Sequence, residues 1–413
     1  MIVAQLEDIL ENILAQVYQS IVAEGERDGI AEAVRKNNFF KLALVSRNFV
    51  TPVRRNFYRN LRVEGTERFL LLTAQLRLSP HLAKLIKCAT LVSNCGQHTH
   101  IDGGPSPRHR PGSKSMSVSA TVLGLFLKAC PQLRRLCIYG GDFLWALVNQ
   151  IPTTIQLTSI CTLGCPCQLT RESCMIHLQH GWLQNIVAFP HLEKLEITEL
   201  DLDKDRNSTL GIPSSSSACT SLTVWNTSGL TSLDDLEPLI RSMPTLQELV
   251  LGLSLLPLPP GKLKRCLGLA ASTLTRLKLS GSGRLDQRLQ PWDNDAVAML
   301  PQLKSLHLGG VALTSSFFDG LPARLEFLRL EQLAVQYVST SALAGWLRRE
   351  PFPHRGVLKK IELVGRLWVD VAKGIKASNA QVLELEELCR GLGIEWNYTP
   401  AENLYYQYQQ LFF

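Results

Sequence analysis

One phrase constrains this chain more than any other: Met243-Pro244-Thr245-Leu246-Gln247-Glu248-Leu249-Val250-Leu251-Gly252. Its design recurs at Cys130-Pro131-Gln132-Leu133-Arg134-Arg135-Leu136-Cys137-Ile138, at Phe189-Pro190-His191-Leu192-Glu193-Lys194-Leu195-Glu196-Ile197 and at Leu300-Pro301-Gln302-Leu303-Lys304-Ser305-Leu306-His307-Leu308. A proline cannot continue a helix, and Leu-x-x-Leu-x-Leu has the alternation of a strand with one buried side. Each copy therefore predicts a helix that stops and a strand that follows at once. A single such pair cannot bury its own leucines, so the copies must stack.

The first leucine of successive phrases falls at Leu133, Leu157, Leu192, Cys219 in place of leucine, Leu246, Leu274, Leu303, Leu325 and Leu358. The steps between them are 24, 35, 27, 27, 28, 29, 22 and 33 residues. Most lie within or near the roughly 20 to 29 residues of leucine-rich repeats, with two longer insertions. The chain resembles that family over 82–398, and Cys389-Arg390-Gly391-Leu392-Gly393-Ile394-Glu395-Trp396 resembles the closing helix and strand of its fungal members. The expected fold is α/β: a leucine-rich-repeat solenoid, a parallel sheet with outer helices, preceded by a small all-α segment. Glu67–Leu78 reads as a helix, and Leu82–Val92 reads as the first strand.

Side chains alternate across a strand, so Leu249 and Leu251 face the core while Glu248 and Val250 face outward. The same parity turns Arg135, Cys137, Tyr139, Lys194, Glu196, Thr223, Trp225, Arg276, Lys278, His307, Phe327, Arg329, Lys360 and Glu362 outward. Aromatic and arginine side chains are the usual anchors of protein interfaces. Tyr139, Trp225, Arg276, Phe327 and Arg329 are accordingly the candidate contacts to a protein substrate.

The N-terminal stretch is different. Leu6, Ile9, Leu10, Ile13, Leu14 and Val17 recur at helical spacing opposite Glu7, Asp8 and Glu11; Phe39–Phe49 and Pro52–Leu61 read as two further short helices. So little apolar surface leans on a neighbour or a partner. Leu6-Glu7-Asp8-Ile9-Leu10-Glu11-Asn12-Ile13-Leu14, Leu42-Ala43-Leu44-Val45-Ser46-Arg47-Asn48-Phe49 and Asn56-Phe57-Tyr58-Arg59-Asn60-Leu61-Arg62-Val63 resemble the F-box of fungal F-box proteins. The Leu-Pro pair that opens that motif is absent, and 18–38 lengthens the connection between its first helices. The resemblance implies docking on the Skp adaptor of a cullin-RING ubiquitin ligase through Leu6, Ile9, Leu10, Ile13, Leu42, Val45 and Phe49, with the repeats presenting a target. The alternative is a repeat scaffold that recruits no ligase. The expected divisions are 1–63 (F-box-like), 64–398 (repeats, with 93–116, rich in Gly, Pro, Ser and His, as a disordered loop) and 399–413 (an aromatic tail, a candidate cap).

Chemistry is hard to find in the sequence. Cys161, Cys165, Cys167, Cys174, His177 and His180 crowd one insertion, but with no zinc spacing. Gly112-Ser113-Lys114-Ser115 lacks the Gly-Lys step and preceding strand of a phosphate loop. No catalytic constellation, cofactor or metal site is expected, and the chain reads as a non-enzyme. Lysine and arginine number 43 against 36 acidic residues, a net +7, but the charges are interspersed and give no nucleic-acid-binding field. Eleven irregularly spaced cysteines, mostly in apolar segments, point to a reducing compartment, cytoplasmic or nuclear. No secretory leader is read at Glu7, Asp8 and Glu11, and no apolar run approaches the roughly 20 residues of a membrane span.

Overall fold

The computed structural model describes residues 16, 47–93, 118–139, 141–148, 156–163, 176–179, 182–198, 200–203, 217–225, 236–253, 261–281, 295–309, 316–331, 339–365, 368–370 and 375–400. The strands are β1 (Asn60–Glu64), β2 (Cys88–Val92), β3 (Arg135–Tyr139), β4 (Ser159–Leu163), β5 (Ile176–Gln179), β6 (Lys194–Thr198), β7 (Leu200–Asp203), β8 (Ser221–Trp225), β9 (Glu248–Leu253), β10 (Arg276–Gly281), β11 (Ser305–Gly309), β12 (Phe327–Glu331), β13 (Lys360–Gly365), β14 (Trp368–Asp370), β15 (Ile375–Lys376) and β16 (Glu395–Pro400). Twelve parallel strands form one open sheet in the order β1-β2-β3-β4-β6-β8-β9-β10-β11-β12-β13-β16. This is the α/β leucine-rich-repeat architecture. β5 pairs with β7, and β14 with β15, as two small separate sheets.

The described residues fall into two compact units, the first running to Ile160 and the second from Cys161 onward. In the first, β1, β2 and β3 stand in register, Leu61 beside Ala89 beside Leu136 and Val63 beside Leu91 beside Ile138. Phe69 of helix Thr66–Leu78 meets Phe126 of helix Ala120–Ala129 and Phe143 of helix Gly141–Val148, at 5.2 and 4.9 Å between ring centroids. In the second unit, one row runs Leu195, Leu222, Leu249, Leu277, Leu306, Leu328, Ile361, all with no solvent exposure. Each such leucine adds about 1.5 to 3 kcal/mol by leaving water.

The prolines do more than stop helices. Leu246 N–H donates to the Met243 carbonyl, closing a turn in which Pro244 is the second residue, where its fixed φ suits the turn. Leu133 with Cys130, Leu192 with Phe189 and Leu303 with Leu300 close the same turn around Pro131, Pro190 and Pro301. The next residue then ties to the previous repeat. Thr220 N–H donates to Glu193 O, Gln247 to Thr220, Thr275 to Gln247, Lys304 to Thr275, Glu326 to Lys304, Lys359 to Glu326 and Glu395 to Lys359, every bond 2.8 Å long. Cys219 occupies a leucine position with no exposure, and burial pushes its thiol up to about 11.

Three expectations are corrected. Strand pairing begins earlier than Leu82: β1 is spent on the end of the F-box-like match, where Leu61 and Val63 alternate with exposed Asn60, Arg62 and Glu64. Pro80 at the start of a helical turn, Pro80–Ala83, delays the next strand to Cys88. The described end of the helix expected over Phe39–Phe49 and most of the one expected over Pro52–Leu61 lie in one helix, Arg47–Arg59, which runs through Pro52. The end of the chain agrees with expectation, a helix at Asn379–Gly391 leading into β16.

Candidate functional site

The side of the sheet away from the leucines is where the sequence placed its candidate contacts, and the burial pattern confirms the parity. In β3, Arg135, Cys137 and Tyr139 alternate with buried Leu136 and Ile138. In the second unit the outward positions of β8 to β13 carry Trp225, Glu248, Arg276, Lys278, His307, Phe327, Arg329, Glu331, Lys360 and Glu362.

These side chains form two different constellations. On β8 to β10, the indole of Trp225 lies on the backbone of Gly252: a Cβ at that glycine would fall 2.8 Å from Cδ2 and 2.9 Å from Cε3. Only glycine leaves room for the ring. Lys278 Nζ stands 5.3 Å from the centre of the Trp225 ring, a cation–π contact. Nearby, Ser221 Oγ donates to Glu248 Oε2 at 2.9 Å, and Arg276 Nη2 reaches the same oxygen at 3.5 Å.

On β11 to β13 the charges close on one another. His307 Nε2 and Glu331 Oε2 are 2.9 Å apart, with side-chain exposures of 13% and 9%. Arg329 places Nη2 3.6 Å from Glu331 and Nη1 3.4 Å from Glu362. Lys360 Nζ joins Glu362 at 2.8 Å and Glu395 at 3.1 Å. Burial holds His307 below the ordinary imidazole range, aided by Lys278 and Arg329 on the flanking strands, and the bond to Glu331 only partly offsets this. Burial would raise the Glu362 carboxyl, but the bond and charge of Lys360, with Arg329, bring it below its ordinary value. Glu362 and Glu395 hold Lys360 above its own.

Of the five predicted contacts, Trp225 and Arg329 are the centres of these two constellations. Arg276 and Phe327 stand in the first outward row, opposite Ser305 of β11 on either side. Tyr139 belongs to the first unit, half-buried at the end of β3. Lys278 was read as outward without being taken as a contact, and Gly252 and Glu331 were not singled out in the sequence. A signal existed for them: the third outward position of successive strands reads Trp225, Gly252, Ser280, Gly309, Glu331, one large ring followed by three small residues and a carboxylate.

Leu6, Ile9, Leu10, Ile13, Leu42 and Val45 lie outside the described residues, as do the loop from 94 to 117 and the tail from 401, while Phe49 is described only as backbone of helix Arg47–Arg59. Cys165, Cys167, Cys174 and His180 also lie outside them; Cys161 is buried in β4, and His177 is backbone of β5. Among the described residues no group of three or more histidine, cysteine or acidic side chains is arranged to hold a metal ion. No described helix is long and apolar enough to cross a membrane.

No protein-family model matches this chain, and no curated protein matches it. Among solved structures, the leucine-rich repeat-containing protein LegL7 of Legionella pneumophila is similar over 81% of this chain and 90% of its own, at 14% identity and a TM-score of 0.34. The repeat architecture is read from the parallel sheet and its register.

Proposed function

We propose that this protein is an interaction scaffold that holds a protein target on the outward face of its repeats, and that its N-terminal helices join it to the Skp adaptor of a cullin-RING ubiquitin ligase as a substrate receptor. The observation that carries the first half is the outward row of consecutive strands, where aromatic and arginine side chains stand at the positions that interfaces use as anchors. Tyr139, Trp225, Arg276, Phe327 and Arg329 are the contacts assigned to the target. The adaptor half rests on the F-box-like residues alone, with Leu6, Ile9, Leu10, Ile13, Leu42, Val45 and Phe49 as the docking set and 1–63 as the docking segment. Such a receptor performs no bond chemistry. It raises the effective concentration of target lysines near the ubiquitin carrier, in the cytoplasm or nucleus.

Co-purification with the adaptor tests this reading. Wild type is expected to hold the adaptor at micromolar concentrations, and a Leu10→Glu, Val45→Glu double variant to lose it. Absence of wild-type binding removes the ligase and leaves the scaffold. One observation favours that second reading: Leu61 and Val63, in the best-matching part of the F-box-like motif, are buried in β1 and turned away from any adaptor.

A further inference from the structure

The cations on the outward face of β10 to β13 are treated unequally. Arg276 has Glu248, Arg329 has Glu331 and Glu362, and Lys360 has Glu362 and Glu395. Lys278 has no carboxylate partner among the described residues; its ammonium is held against the Trp225 ring. Its cross-strand neighbour His307 stays uncharged near neutral pH, because burial and the flanking cations oppose protonation. Over β8 to β11 the outward side chains therefore present two cations against one carboxylate. Beside Lys278, Ser280 and Gly309 are small and buried, whereas Lys278 and Trp225 keep partial exposure. A side chain from outside can approach the ammonium and the ring through that exposure.

We propose that Lys278 and Trp225 form a subsite for an acidic side chain of an extended protein segment, its carboxylate on the Lys278 ammonium and its carbon stem against the indole. The inference rests on the scaffold reading and supplies the chemistry of the target. Two features favour this occupant. The charge left over on β8 to β11 is positive, so a carboxylate completes the pairing that the other cations already have. The indole beside it is a flat apolar surface, which a bare inorganic anion would leave unused and a side chain with methylene groups would cover. Gly252 is the positioning residue, since any larger side chain would lift the ring off the sheet.

The test uses the full chain labelled with 5-fluorotryptophan, the Trp225 fluorine signal being identified by its loss in Trp225→Phe. Hexaglutamate peptide is titrated in, with hexaglutamine and inorganic phosphate as parallel probes. A saturable shift of the Trp225 signal with hexaglutamate, small with hexaglutamine, is expected. Lys278→Met keeps the stem and removes the charge, and is expected to weaken that response about twofold to fivefold. Lys278→Arg is expected to retain it, and Lys304→Met, at an exposed lysine already paired with Glu326, to leave it unchanged. A response equal in wild type and Lys278→Met overturns the subsite, as does no response to hexaglutamate. Phosphate acting as well as the peptide makes the site a simple anion site and overturns the peptide assignment. None of these outcomes depends on adaptor binding, so failure here is separable from failure of the ligase reading.

Discussion

The two halves of the outward face in the second unit rest on the same leucine floor and differ in how they settle their charges. On β11 to β13, histidine, arginine, lysine and glutamate satisfy one another, with the His307 and Glu331 side chains largely out of solvent. On β8 to β10, an aromatic ring lies on a glycine and steadies a lysine that no carboxylate neutralises among the described residues. A closed network has little left to offer a visitor, because any new partner must first displace an old one. The half that carries an unspent charge is the half suited to recognition. Aromatic and charged residues at outward positions are thus a necessary mark of an interface, and pairing decides which of them remain available.

The largest effect is expected beneath both halves, where they are alike. Leu277→Ala and Leu306→Ala empty positions with no exposure, and each should lower unfolding stability by about 2 to 5 kcal/mol in denaturant melts. A markedly smaller cost at either would mean that the two halves do not share one core. Next comes Glu331→Ala, which strands His307 and leaves Arg329 with Glu362. A loss of about 1.5 to 3 kcal/mol is expected, since charged hydrogen bonds are the costly ones to leave unmade.

The closed half also responds to acid. Burial lowers the folded-state pKa of His307, and equally that of His354 in the aromatic cluster with Trp346 and Phe352, below the ordinary 6.5. Below that value the unfolded chain binds protons that the folded chain refuses, so stability is full above about pH 6.5 and falls as the pH drops. The slope cannot exceed about 1.4 kcal/mol per pH unit for each histidine. His307→Asn should flatten part of the profile measured by melts between pH 7 and 5, and an unchanged profile would assign the whole effect elsewhere.

Smaller effects belong to the open half. Gly252→Ala forces the Trp225 ring aside at a cost of about 1 kcal/mol, and the displaced indole should become easier to quench with acrylamide. Lys278→Met should change stability by only about 0.5 kcal/mol. If it proves as damaging as Glu331→Ala, the two halves are equally structural and the contrast between them fails.

The architecture was legible because it is repeated: spacing, parity and the proline turn are each written several times, and Cys219 shows that even a substituted leucine keeps its place when its neighbours fix the register. The open-face residues were legible as positions and not as partners. Arg276 and Lys278 look alike in a sequence, and whether each meets a carboxylate depends on side chains one repeat away, roughly 27 residues distant in the chain. Gly252 was passed over because a glycine at a strand end usually signals a turn, whereas here its meaning lies in the ring that occupies the space it leaves. The start of the array was misplaced because β1 is short and follows its helix without a break, so local periodicity carried the helix two residues too far.

The bonds of 2.8 Å that tie each strand entrance to the previous one have a consequence for how such a chain can change over evolutionary time. Each of these entrances is cast on the one before it, so adding or removing a single residue there would disturb the repeats that follow. The distance from a strand's exit to the next helix varies more: 8 residues separate β9 from the next helix and 13 separate β10 from its own. The entrances thereby act as a fixed ruler, and the chain after β9 and β10 can change in length, and with it in binding specificity, without redrawing the scale.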